Sequence, residues 1–146
     1  MANRTERAIA DVASLDEARA AAGAPGGAGS ADALGGALRR TGLLPLLVLH
    51  LLRDGPSYGN QLMERIGELS GGLLAVNPNT MYPLLRTLEA DGWIVGEWEH
   101  PERRSRRFYR LSDAGEAERA RLADELEPRL AAFATSLEAL RTELRR

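Results

Sequence analysis

The chain contains no cysteine and no lysine. Without cysteine there is no disulfide framework and no thiolate metal site, and the redox compartment is left open by this test. The two histidines, His50 and His100, stand far apart in sequence, which argues against an imidazole-rich metal centre. Aromatic residues make up only 5% of the chain, so each carries more weight than usual. Apolar runs are short. Leu43 to Leu52 covers about ten residues, against the ~20 that span a bilayer as a helix, and no apolar stretch of signal-peptide type follows the N-terminus. A cytoplasmic protein without a membrane role is the expectation. No Ser-His-Asp or Cys-His arrangement, phosphate-cradling loop or metal-ligand spacing is visible, so neither an enzyme nor a cofactor is expected.

What is present suits one domain plus an arm or a dimerisation helix, at 146 residues. The formal net charge of −2 argues against a surface that holds nucleic acid everywhere. The distribution is more telling. Residues 100–112 carry Arg103, Arg104, Arg106, Arg107 and Arg110 against one acid, Glu102, while the rest of the chain is net negative. A local basic patch on an acidic protein has the form of an oriented nucleic-acid contact. Since every basic residue is arginine, a single Arg says little and clustering says more.

Residues 77–92 are the most informative stretch. Asn77 is placed to cap a helix by accepting from a first-turn amide. Pro78 suits the first helical position, where its missing N–H is no loss. Gly92 can take the left-handed conformation that ends a helix. Met81, Leu84, Leu85 and Leu88 recur at helical spacing and make one apolar stripe. Asn79, Tyr82, Pro83 and Arg86 recur on the opposite side. An amide, a phenol and a guanidinium toward a helix N-terminus can read base edges or hold phosphates, and the N-terminus itself favours anions. The acids Glu89 and Asp91 fall at the far end. The plainer alternative is an amphipathic helix with an ordinary polar outside; this helix alone does not choose between the two.

Residues 1–42 read as an Ala/Gly-rich arm, partly helical over Thr5 to Ala22 and again over residues 31–40, with a flexible linker at residues 23–30. A mostly disordered arm is expected. The folded domain, residues 43–112, begins with a buried helix from Leu44 to Arg53, with Pro45 tolerated in its first turn. His50 on this helix is expected to have no function. A second helix, Tyr58 to Ser70, is expected to be capped by Ser57 and to point Leu62, Ile66 and Leu69 inward. After Gly71 and Gly72, Leu73 to Val76 is long enough for one small strand. Trp93 to Glu99 and Arg106 to Leu111 alternate as strands do and form a hairpin around an Arg-rich loop, with Trp93 and Trp98 as core anchors. Ser112 can cap a final helix over residues 113–146. On it Leu122, Leu126, Leu130, Phe133, Leu137, Leu140 and Leu144 step close to the 3.5-residue repeat of a helix seam. Pro128 predicts a kink or a restart. No other segment is left over to cover so long a seam, so a second copy of the chain in a two-fold arrangement is the expected partner.

Helix, helix, short strand, helix and hairpin is the order of a winged helix-turn-helix: mainly α with a small β-hairpin, followed by a C-terminal dimerisation helix. The residues then become specific. Leu46-Leu47-Val48-Leu49, Gly55-Pro56-Ser57-Tyr58-Gly59, Asn79-Thr80-Met81-Tyr82-Pro83-Leu84-Leu85, Leu88-Glu89, Gly92-Trp93-Ile94, Arg106-Arg107-Phe108-Tyr109-Arg110-Leu111-Ser112 and Ala114-Gly115 together resemble the PadR family of bacterial transcriptional regulators. The resemblance covers about half the chain. It implies a homodimeric DNA-binding repressor on a palindromic operator, often released by a small-molecule effector. It places Asn79, Thr80, Tyr82 and Arg86 on a helix in the major groove of double-stranded DNA. Tyr58 would meet a phosphate, and Arg103, Arg104, Arg106 and Arg107 would lie on the wing. Some members bind aromatic drugs with a tryptophan on the last helix. This chain has none there, since Trp93 and Trp98 precede the wing loop. The competing reading is a winged-helix adaptor that binds protein and no DNA, because fold alone does not fix function.

Overall fold

The computed structural model describes Gly36, residues 41–103 and residues 105–146. The expectations for the arm ahead of residue 41, Gly36 aside, and for Arg104 lie outside the described residues. Among the described residues the chain forms α1 (Leu43–Leu51) with a 3-10 turn (Leu52–Asp54), β1 (Ser57–Tyr58), α2 (Gly59–Leu69), α3 (Pro78–Ala90), β2 (Ile94–Trp98), β3 (Arg107–Leu111) and α4 (Asp113–Leu144). The strands make one antiparallel sheet in the order β1-β3-β2. This is a winged helix followed by a long helix.

α1 is the centre of the core. Leu44, Val48, Leu49 and Leu51 are buried, and Leu62 and Ile66 of α2, Met81, Leu85 and Leu88 of α3, Ile94 of β2 and Tyr109 of β3 close around them. His50 is exposed on the far side. Two closures fix the angles between helices. α2 ends in a reciprocal pair of backbone bonds, Gly72 N–H to Gly67 O (2.8 Å) and Gly71 N–H to Glu68 O (3.1 Å), with both glycines at positive φ. α3 ends in the same way, Trp93 N–H to Leu88 O and Gly92 N–H to Glu89 O, both 3.0 Å.

Several expectations change here. Leu73 to Val76 is not a strand. The closure of α2 turns the chain inward, and Ser70 Oγ takes the Leu74 N–H at 3.0 Å, which seats Leu74 in the core. The strand beside β3 is Ser57–Tyr58 instead, paired as Ser57 with Tyr109 and Tyr58 with Phe108. Ser57 is therefore buried in the sheet rather than capping α2. The cap comes from within the helix: Gln61 Oε1 accepts from Tyr58 N–H at 3.0 Å and from Ser57 Oγ at 3.2 Å. Leu69 shares the inward face but outruns the core and is 61% exposed. Trp93 packs against the core, whereas Trp98 lies at the far end of β2 and is 44% exposed.

α4 runs as one helix through Pro128 without a restart. Ser112 caps it as expected, accepting from Gly115 N–H at 3.0 Å, and also donates to Gly92 O at 2.6 Å. The first turns of α4 lie on α1, with Leu126 buried, Leu122 half-buried and Arg53 reaching Glu116 at 3.7 Å. The same chain thus covers the start of the leucine seam. Its end is bare: Leu137, Leu140 and Leu144 are 40%, 61% and 85% exposed.

Candidate nucleic-acid interface

The N-terminus of α3 is built as its sequence suggests. Asn77 Oδ1 accepts from Thr80 N–H at 3.0 Å, and Pro78 occupies the first turn. Burial of Met81, Leu85 and Leu88 turns Asn79, Tyr82, Pro83 and Arg86 outward, and all four are exposed. Thr80 is half-buried beside them. Tyr82 has a second task. Its ring covers Gly59 at the start of α2, so closely that a Cβ on Gly59 would lie 2.8 Å from Tyr82 Cε1. A side chain at this position would have to displace the Tyr82 ring, so glycine is what lets the outer face of α3 approach the N-terminus of α2 this closely.

Pairing of β1 with β3 carries Tyr58 onto the outer face of the wing. Its ring meets Phe108 edge-on, with centroids 6.2 Å apart. The Arg106 guanidinium lies 4.2 Å from the Tyr58 ring centroid, a cation–π distance. Glu99 grips the same guanidinium with two hydrogen bonds, 3.2 and 3.3 Å. That bond holds the Glu99 carboxyl below its ordinary value and raises Arg106 further. Tyr58 and the wing, separate in sequence, are therefore one surface.

Strand alternation sends Arg107 the other way. It turns toward α3 and donates from Nη2 to Glu89 Oε2 at 2.6 Å, with both side chains mostly shielded. Its guanidinium also lies 5.3 Å from the Trp98 ring and 6.0 Å from that of Tyr109. Burial pushes the Tyr109 hydroxyl up. Arg110 pairs with Glu97 across the hairpin at 3.3 Å. Arg103 is exposed at the wing tip, in a turn closed by its N–H on His100 O and by Ser105 bridging His100.

The run of arginines is thus less basic in space than in sequence. Glu97 and Glu99 of the partner strand and Glu89 of α3 meet three of the five. Sequence reading missed Glu89 and Gly96. Gly96 did carry a signal, because glycine inside a strand often marks close approach of another group. Glu89 carried none, since its partner lies 18 residues away. Among the described residues no cluster of His, Cys, Asp or Glu could hold a metal ion, and no helix is long and apolar enough to cross a membrane.

Known proteins share this arrangement. Residues 48–121 match the transcriptional regulator PadR-like family. A transcriptional regulator of Mycobacterium tuberculosis is 42% identical over 72 residues, 49% of this chain. The match spans 64% of that relative's length. A PadR family transcriptional regulator from Eggerthella lenta is 33% identical, with a TM-score of 0.51 over 70% of this chain and 84% of its own. A transcriptional regulator from Clostridium thermocellum shares the fold at 24% identity, with a TM-score of 0.59 over 66% of this chain and 92% of its own. With a match over half its length, on the winged helix and the start of α4, this chain belongs to the PadR-like family of transcriptional regulators.

Proposed function

We propose that the protein is a cytoplasmic repressor that binds a palindromic operator in double-stranded DNA as a homodimer. The exposed Asn79, Tyr82 and Arg86 face of α3, beside Tyr58 and the wing, is the observation that supports this reading. α3 enters the major groove, N-terminus foremost. Arg86 reads a base edge, and Asn79 and Thr80 sit where the helix N-terminus favours a phosphate. Tyr58, Arg103, Arg104 and Arg106 lie along the sugar–phosphate backbone. Arg106 must loosen from Glu99 to do so, which an exposed pair permits at small cost.

The bare end of α4 supplies the dimer contact. Leu130, Phe133, Leu137, Leu140 and Leu144 continue the seam beyond the part that α1 covers, at alternating steps of three and four. Release by a small molecule is a further step that the family resemblance implies; a compound screen that shifts neither melting temperature nor DNA retention refutes it.

Selection of bound duplexes from a random pool, with salt dependence recorded, tests the whole reading. The expected product is a palindrome with half-sites about one turn, ~34–36 Å, apart. Arg86→Ala then relaxes one base pair per half-site. Joint replacement of Arg103, Arg104 and Arg106 by Ala weakens all sequences and flattens the salt slope. Unselective retention, or a monomer at working concentration, overturns it.

A further inference from the structure

The joint between α3 and the wing is built around Glu89. Its Oε2 accepts from two donors of the hairpin, the Gly96 N–H at 3.1 Å and Arg107 Nη2 at 2.6 Å. The first donor is backbone on β2 and the second a side chain on β3, so one carboxylate oxygen ties both wing strands to the last turn of α3. Trp98 and Tyr109 flank the guanidinium. Gly96 leaves the space for this. A Cβ there would lie 2.6 Å from Arg107 Nε, 2.7 Å from its Nη2 and 2.8 Å from Glu89 Oε2. An ion pair folded over a glycine, shielded by two aromatic rings and capping a strand amide, has little freedom to reorient.

We infer that Glu89 and Arg107 are positioning residues that fix the angle between the DNA-reading helix and the wing, with no contact to DNA themselves. This rests on the DNA-binding reading above. Two surfaces that must meet one duplex together bind well only when their relative orientation is set beforehand. Arg107 is thereby separated from Arg103 and Arg106, its neighbours in sequence, which face outward.

The sign of one substitution decides the matter. Glu89→Gln removes a negative charge from a DNA-binding surface. If charge alone mattered it would tighten binding, and Arg107→Met would weaken binding and lower the salt slope. As a lock, both substitutions weaken operator binding, by about tenfold each, and the double variant loses little more than either single one. The salt slope stays at the wild-type value. Gly96→Ala, which displaces the ends of the two side chains, gives the same loss. Amide exchange at Gly96, whose N–H the carboxylate holds, speeds up in Glu89→Gln while melting temperature moves far less than operator affinity. Tighter binding by Glu89→Gln, additive effects, or a reduced salt slope in Arg107→Met overturns the inference. If the wild-type chain retains no duplex, the DNA-binding reading and this inference both fail. If it binds DNA and only the signs are wrong, this inference fails alone.

Discussion

Gly115→Ala separates what helix chemistry predicts from what packing predicts. Gly115 sits in the first turn of α4 with negative φ, and alanine is favoured over glycine inside a helix by about 1 kcal/mol. By that rule the substitution stabilises. The packing says otherwise. A Cβ on Gly115 would lie 1.9 Å from the Trp93 carbonyl oxygen and 2.8 Å from both Trp93 C and Leu111 Cδ1. Ordinary C···O contacts begin near ~3.3 Å, so α4 and residue 93 must part by about 1 Å or more. Two of the nearest obstacles are backbone atoms and have no rotamer to escape into. Separation breaks the Ser112 N–H bond to Trp93 O, 3.1 Å, and strains the Ser112 Oγ bond to Gly92 O. Overpacking at about 1–3 kcal/mol and a lost hydrogen bond at about 1 kcal/mol exceed the propensity gain, for a net loss of about 2 kcal/mol. In a folded unit of this size that lowers the melting temperature by on the order of 10 °C. Gly67→Ala is the internal control. It makes the same change near the end of α2, where a Cβ meets nothing within 4 Å, and should stabilise by about 0.5–1 kcal/mol. Urea titrations of both variants at one protein concentration measure the pair, because the proposed self-association would make stability concentration-dependent. A Gly115→Ala protein as stable as wild type refutes the packing argument.

Asn77→Ala loses the acceptor for Thr80 N–H and should destabilise by about 1 kcal/mol in the same assay, with little change if water replaces the cap fully. Leu126→Ala empties a buried site between α4 and α1 and should cost about 2–4 kcal/mol, whereas Leu144→Ala should leave unfolding of the subunit unchanged and weaken self-association in sedimentation. Equal effects of the two would mean that the seam is not divided between α1 and a second chain. Arg106 holds the Glu99 carboxyl below its ordinary value, so the contribution of that pair is present at neutral pH and is lost as pH falls through the lowered folded value. NMR titration should show Glu99 returning toward an ordinary glutamate in Arg106→Ala; an unchanged titration would remove Arg106 as the cause.

Local signals and distant ones fared differently, and the wing shows why. Asn77, Pro78 and Gly92 bounded α3, and the spacing of Met81, Leu85 and Leu88 chose its inner face, because capping and helical periodicity act within a few residues. Ser112 was legible as a cap for the same reason. The order of elements and the matched residues then identified the fold. That Leu73 to Val76 forms no strand was not legible, since it depended on the closure of α2 and on Leu74 finding its place in a core built by distant helices.

Sequence by itself determined where α3 begins and ends, where α4 starts, which face of α3 looks outward, and that the arginines gather on one hairpin. Only the tertiary structure decided which acids Arg106, Arg107 and Arg110 meet. Cross-strand register set Glu97 and Glu99 beside Arg110 and Arg106, and the return of β3 toward α3 set Glu89 under Arg107. It likewise packed Leu122 against the core, buried Leu126 and left Leu137, Leu140 and Leu144 uncovered. The reason is one of range. Caps and periodicity are properties of neighbouring residues, whereas an ion pair or a buried leucine is defined by whichever distant residue the fold brings within a few ångströms.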